Sequence, residues 1–274
     1  MKKTSIFSTN TNISYSFLLP ITCLFWKRIT DYEPFCFLVG NQEEWLENSI
    51  NKYILNSCPN LRYLYIKNIE EIQSSTVSQV SRLFYSCISN EEEYILTSDI
   101  DMFPLDRSWF NQFDLNYDFN IFFANANNHE RYPICYLGGK TNIWKNIMNI
   151  ENENINQYIE NYILKNINKN TGQKEVWEFD ETLFVNQIKK WNGYSNKCQF
   201  IERKTTPDGP PFGRVDRYNW IKSLYQNEYV DAHIFRNAWE DENWVNVNQL
   251  LHKFLTKEDI DFCNDYKNKF KELL

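Results

Sequence analysis

Short apolar runs alternate with longer amphipathic stretches through the first hundred residues. Residues 4–8 read as a strand. Residues 35–39 (Phe-Cys-Phe-Leu-Val) are continuously apolar and end at Gly40, which predicts a strand buried on both faces. Residues 61–66 and 94–96 give two more strands. Between them, residues 14–28, 42–55 and 76–88 carry apolar positions at helical spacing, with Pro20 expected to kink the first helix or to lie near its start. This β-α-β-α-β-α-β order predicts a parallel sheet covered by helices on both faces.

After residue 101 the pattern loosens. Residues 119–124 and 134–137 read as strands, the second followed by Gly138 and Gly139. Residues 141–150, 154–167 and 180–191 read as helices, the last with acids in its first turn to complement the helix dipole. Residues 205–217, holding three prolines and two glycines, read as a long loop. Residues 230–235 form a late strand, and residues 250–274 an amphipathic tail helix. The expectation is one α/β domain in three parts: 1–101 as a nucleotide-binding half, 102–249 as an acceptor half, and 250–274 as a C-terminal helix.

Composition narrows the class. At 42% hydrophobic and 17% aromatic, the 274 residues can close a large core, which excludes disorder. Twenty-nine basic against 36 acidic residues give a net charge of -7, so no extended nucleic-acid interface is expected. The seven cysteines are scattered, mostly in apolar runs, and form no Cys-x-x-Cys pair, which reads as buried reduced thiols. Lys2 and Lys3 precede an apolar run at residues 17–26, too short for a membrane span and with no small-residue cleavage site after it. No transmembrane segment and a cytoplasmic location are expected.

The sharpest candidate chemistry is Asp99-Ile100-Asp101, at the carboxyl end of the fourth predicted strand. Ligands of open α/β sheets bind beyond the carboxyl ends of strands. Two carboxylates one residue apart, at a turn before Pro104, can reach a hard cation such as Mg²⁺ or Mn²⁺ bridging a diphosphate. The plain alternative is a solvated pair of acids. Asp180 and Glu181 form a second acidic site, either of which suits a general base; helix capping by acids is the competing reading. Gly138 and Gly139 could admit close approach of a sugar to the backbone or simply make a tight turn. Arg214 and Arg217, in a loop that reads as a lid, could neutralise a leaving diphosphate. Trp220, Trp239 and Trp244 could stack on a sugar, although most tryptophans must be core. His129, in a polar loop, could touch an acceptor or simply be solvated, and His252 reads as an ordinary residue of the tail helix.

The stretch from Ser78 through Arg82, followed by Tyr94-Ile-Leu-Thr-Ser-Asp99-Ile-Asp101-Met-Phe-Pro104, resembles the core of GT-A-fold glycosyltransferases of the glycogenin-like, lipopolysaccharide-sugar and viral types. The resemblance implies a mixed, mostly parallel Rossmann-like sheet. It also implies transfer of a sugar from a nucleotide-diphosphate sugar, a UDP-sugar before others, to a glycan or other hydroxyl acceptor. On that resemblance Asp99, Asp101 and a late His233 hold Mn²⁺ or Mg²⁺. Arg82, with Thr9 and Ser98, contacts the donor, and Asp180 before Glu181 lies beneath the acceptor. The sequence departs from the family after His233, where Ile234-Phe235-Arg236-Asn237 stands in place of a Gly- and Lys-containing motif. Two other classes remain open: a non-catalytic nucleotide-sugar or glycan-binding protein on this fold, and a haloacid-dehalogenase-like phosphohydrolase.

Overall fold

The computed structural model describes residues 1–89, 92–114, 116–125, 130–151, 154–166, 178–203, 213–220 and 229–274. A seven-stranded sheet runs in the order β3-β2-β1-β4-β7-β6-β8. Its strands are β1 (Lys2–Asn10), β2 (Glu33–Val39), β3 (Arg62–Ile66), β4 (Glu93–Thr97), β6 (Phe119–Phe122), β7 (Leu137–Lys140) and β8 (Cys198–Ile201). β1, β2, β3 and β4 are mutually parallel, β7 runs against both β4 and β6, and β8 is parallel to β6. The mixed, mostly parallel α/β fold expected from the sequence is therefore present. The sheet continues unbroken from residues before Asp101 to residues after it.

Two hydrophobic clusters lie against this sheet. One gathers helix Leu19–Ile29 with Phe7, Trp26, Phe103 and the C-terminal residues Trp244, Tyr266 and Phe270. The other gathers Phe37, Phe84, Phe119, Trp144 and Phe184. Alternate residues of β1 serve the two sides, Phe7 in the first cluster and Ile6 in the second, as a period of two requires. The strands bounded by long apolar runs are the ones the pattern predicts.

The differences from the expected elements have local causes. The first helix is two, Ile13–Ser16 and Leu19–Ile29, and Pro20 sits in the first turn of the second, where its missing N–H is no loss. The second is also two, Gln42–Leu46 and Ser49–Asn56, because the Asn48 side chain caps the amides of Ile50 and Asn51 and restarts the chain. The third runs as Ser74–Ser81 and then tightens to a 3₁₀ helix, Arg82–Cys87. Residues 134–136 are 3₁₀, so β7 begins only at Leu137 and takes in Gly138 and Gly139. The tail is likewise two helices, Asp241–Phe254 and Lys257–Leu273, with Thr256 capping the second.

A second, three-stranded sheet was not expected. Its order is β5 (Met102–Pro104), β10 (Asp231–His233), β9 (Arg214–Asp216). β10 is antiparallel to β5 and parallel to β9, and His233 is in register with both Met102 and Asp216. This register carries two distant segments, β9 and β10, to the end of β4. Among the described residues no helix is long and apolar enough to cross a membrane. The seven cysteines are free thiols, all buried except the half-buried Cys58.

Candidate functional site

The chain leaves β4 at Thr97, and the Ser98 amide still bonds the Ile6 carbonyl at 2.8 Å. It then turns: the Met102 amide donates to the Asp99 carbonyl at 3.2 Å, and Ile100 is buried with its carbonyl held by the Thr22 hydroxyl at 2.6 Å. With Ile100 anchored inward, Asp99 and Asp101 both line one cavity of about 240 Å³. Ser8, Thr9 and Asn10 at the end of β1 line it too, joined by Ser78 and Gln79. Hydroxyls brace this lining, with Ser78 and Ser81 both donating to the Ser8 oxygen at 2.9 and 3.0 Å.

Arg82 organises the acidic side. Buried at the start of the 3₁₀ turn, it pairs with Asp99 through Nη1 and with Asp180 through Nη2 at 3.0 Å. Its remaining contacts are to the backbone carbonyls of Ser98 and Gln79. Burial drives the Asp180 carboxyl up to about 6, because desolvation and the Asp99 charge outweigh the attraction of Arg82. Asp180 also accepts from the Glu181 amide at 2.9 Å. Glu181 lines the same cavity, and burial together with the neighbouring Asp180 lifts its carboxyl to about 7.

Asp101 is held differently. Its Oδ2 lies 3.3 Å from His233 Nε2 and 3.6 Å from Arg217. The other ring nitrogen of His233 meets Asp216 at 3.2 Å. Burial alone would lower the imidazole, but its two carboxylate partners prevail and raise it to about 9. Burial acts on Asp101 in the opposite sense, and the His233 hydrogen bond and charge with Arg217 hold it below the ordinary range.

The structure sorts the sequence candidates. Thr9, Arg82, Asp99, Asp101, Asp180, Glu181, Arg217 and His233 converge on the cavity. Ser98 is fully buried behind Asp99 and offers its carbonyl to Arg82. Gly138 and Gly139 do not line the cavity: they sit within β7, where a Cβ would lie 2.2 Å from the Tyr94 hydroxyl and 2.5 Å from the Phe119 ring. Arg214 is turned away, paired with the buried carboxylate of Asp231, which Arg203 also engages at 2.7 Å. Trp220, Trp239 and Trp244 are core residues, as most tryptophans must be. His129 and residues 205–212 of the expected lid lie outside the described residues, while 214–216 form β9. Tyr15 and Arg236 line the cavity and were not picked out by sequence patterning; neither belongs to a motif or a periodic face.

Two carboxylates and an imidazole are donors suited in kind to Mn²⁺ or Mg²⁺. In position they are not gathered into a shell, since among the described residues no three His, Cys, Asp or Glu groups are close enough to hold an ion. Arg82 holds Asp99 on one side while His233 and Arg217 hold Asp101 on the other.

No model of a known protein family matches the chain, and no curated protein does either. Solved structures do. The galactosyltransferase LgtC, in complex with donor and acceptor sugar analogues, superposes with a TM-score of 0.50 at 12% identity over 98% of this chain and 99% of that one. The fold is that of the GT-A glycosyltransferases. The glycosyltransferase GlyE of Streptococcus pneumoniae TIGR4 gives a TM-score of 0.49 at 11% identity, and 98% of this chain spans 64% of its length. A glycosyltransferase involved in glycosylation of the major capsid of PBCV-1 gives 0.38 at 10% identity, covering 84% of this chain and 93% of that one. In the GT-A frame the cavity lies beyond the carboxyl ends of β1 and β4, where open α/β sheets take their ligands.

Proposed function

We propose that the chain is a glycosyltransferase that moves a sugar from a nucleoside-diphosphate sugar to a hydroxyl acceptor, and that Asp99, Asp101 and His233, here held apart by Arg82 and Arg217, would close on a divalent metal when the donor binds. The observation that carries this reading is the convergence of Asp99, Asp101, His233 and Arg217 from three separate segments on one cavity at the end of β4. A structural ion pair needs one partner; a site that assembles two acids, an imidazole and a guanidinium on an accessible wall suits a charged ligand.

In this reading the nucleoside lies along Ser8, Thr9 and Asn10, and the diphosphate along Asp99, Asp101 and Arg217. Mn²⁺ or Mg²⁺, when bound, supplies positive charge to the diphosphate oxygens. Arg82 positions rather than binds: four of its N–H bonds already go to Asp99, Asp180 and two carbonyls. Asp180 is spent in the same way, and Glu181 is left facing the sugar. As the acceptor oxygen bonds to the anomeric carbon, the bond from that carbon to the diphosphate breaks and the electron pair leaves with the nucleotide. The acceptor proton passes to the Glu181 carboxylate in an inverting enzyme, for which a carboxyl near 7 is matched to neutral pH. In a retaining enzyme the same group faces the developing positive charge of the sugar.

The test is nucleotide release from UDP-, GDP- and ADP-sugars with Mn²⁺, using simple glycosides such as lactose as acceptors. At least one donor should yield free nucleoside diphosphate and a glycosylated product. Nucleotide monophosphate as the sole product would point to a phosphohydrolase instead, and binding with no turnover of any donor to a sugar-binding protein.

A further inference from the structure

Resting on that reading, we propose that Arg217 and Arg236 form a two-arginine clamp that grips the diphosphate of a nucleoside diphosphate even without the divalent ion. Three of the arginines near the cavity are committed to carboxylates. Arg82 is engaged by Asp99 and Asp180, and Arg203 and Arg214 by Asp231, so none of the three is disposed to meet an incoming anion. Arg217 and Arg236 both line the cavity. Arg217 gives one hydrogen bond to the Ile234 carbonyl at 3.3 Å and stands 3.6 Å from Asp101, beyond hydrogen-bond range. A guanidinium has five N–H donors in a fixed fork, so it retains capacity for phosphate oxygens.

Arg236 is exposed, yet the backbone that presents it is tightly built. Asn237 takes a left-handed φ of 51°, a conformation Asn tolerates better than most residues. Ser14 donates to the Asn237 side chain at 2.6 Å, and Asn243 donates to the carbonyls of Arg236 and Asn237 at 3.3 and 3.2 Å. The Arg236 guanidinium lies over the ring of Tyr15, 5.4 Å away, on the cavity wall. An exposed guanidinium on the lining of a polar cavity is placed to meet an anion. Both arginines share the cavity lining with the carboxylates of Asp99 and Asp101. A diphosphate arriving there meets two carboxylates that repel it, and two forks are suited to offset them.

The experiment is calorimetric titration of UDP, GDP, ADP, uridine and inorganic pyrophosphate in EDTA, then in Mn²⁺, with Arg217→Ala, Arg236→Ala, Arg236→Lys and the parent. Circular dichroism melting confirms that each variant is folded. A nucleoside diphosphate should bind the parent in EDTA. Either alanine variant should weaken it about tenfold, Arg236→Lys should recover part of the loss, and uridine should be indifferent to all three. Unchanged diphosphate affinity in Arg236→Ala, or binding by the parent in Mn²⁺ but not at all in EDTA, overturns the clamp and leaves the glycosyltransferase reading standing. No binding of any nucleoside diphosphate under either condition overturns both.

Discussion

Glu181 and Asp180 are neighbours in sequence whose side chains meet different surroundings. Both line the cavity, but Asp180 is buried and paired with Arg82 at 3.0 Å, whereas Glu181 is half-buried. If Glu181 takes the acceptor proton it must be ionised. Its carboxyl lies near 7, so kcat/KM should rise with pH through about 7 and then level off. Glu181→Gln should lower kcat by roughly 10²- to 10⁴-fold and erase that limb while donor affinity stays constant. Turnover close to the parent in that variant would remove the role. The pair also couples to stability. Both carboxyls hold protons more tightly folded than unfolded, so stability from this pair is fullest below about pH 4 and declines as pH rises through about 6 to 7. Thermal melts of the parent and of Asp180→Asn between pH 4 and 8 test it, the variant losing part of that decline. The sequence names both acids as candidates but cannot choose, because the choice depends on Arg82 nearly a hundred residues away. By contrast the Asp99-Ile100-Asp101 turn is legible, since an apolar strand followed by alternating acids and a proline specifies it locally.

At the scale of elements, the small sheet decides the site. Strands of three residues such as Met102–Pro104 and Arg214–Asp216 are too short for a period of two to be seen, which is why sequence patterning missed β5 and β9. What replaces local propensity is a buried charge. Asp231, fully buried, binds Arg203 and Arg214, and their charges hold it well below the ordinary carboxylate range against the cost of burial. Because its folded value is depressed, its contribution is present above about pH 4 and is lost as pH falls below that. Asp231→Ala leaves two arginines without their carboxylate and should cost about 3–5 kcal/mol, read by denaturant unfolding. A loss under 1 kcal/mol would mean the latch is not what holds β10 to β9. The glycines of β7 make a second case. Gly138→Ala forces a Cβ to within 2.2 Å of the Tyr94 hydroxyl and should destabilise by about 1–3 kcal/mol, with nucleotide affinity of the folded fraction unchanged. A selective loss of donor binding would return Gly138 to the substrate.

For the whole molecule, the long parallel strands and their helices were legible because each is an uninterrupted apolar run followed by an amphipathic one. Less legible was how the two ends meet. Phe17 contacts Trp239, Trp244, Tyr266 and Phe270, so the C-terminal helices complete the core beneath helix Leu19–Ile29 rather than trailing from it. Ring pairs at such distances have no signature in a linear pattern. Removing residues 257–274 should therefore lower the melting temperature sharply or leave the chain insoluble, and a truncated protein that melts like the parent would show the helix to be an appendage. This packing fixes helix Leu19–Ile29, whose Thr22 holds the Ile100 carbonyl between the two acids. The site thus depends on the fold from both ends of the chain. The most direct test of the account is calorimetric titration of UDP, GDP and ADP in Mn²⁺ into the parent and into Asp101→Ala. The account predicts that the parent binds one of them more tightly with Mn²⁺ than with EDTA and that Asp101→Ala loses that metal-dependent gain. An Asp101→Ala variant with undiminished metal-dependent affinity would contradict it.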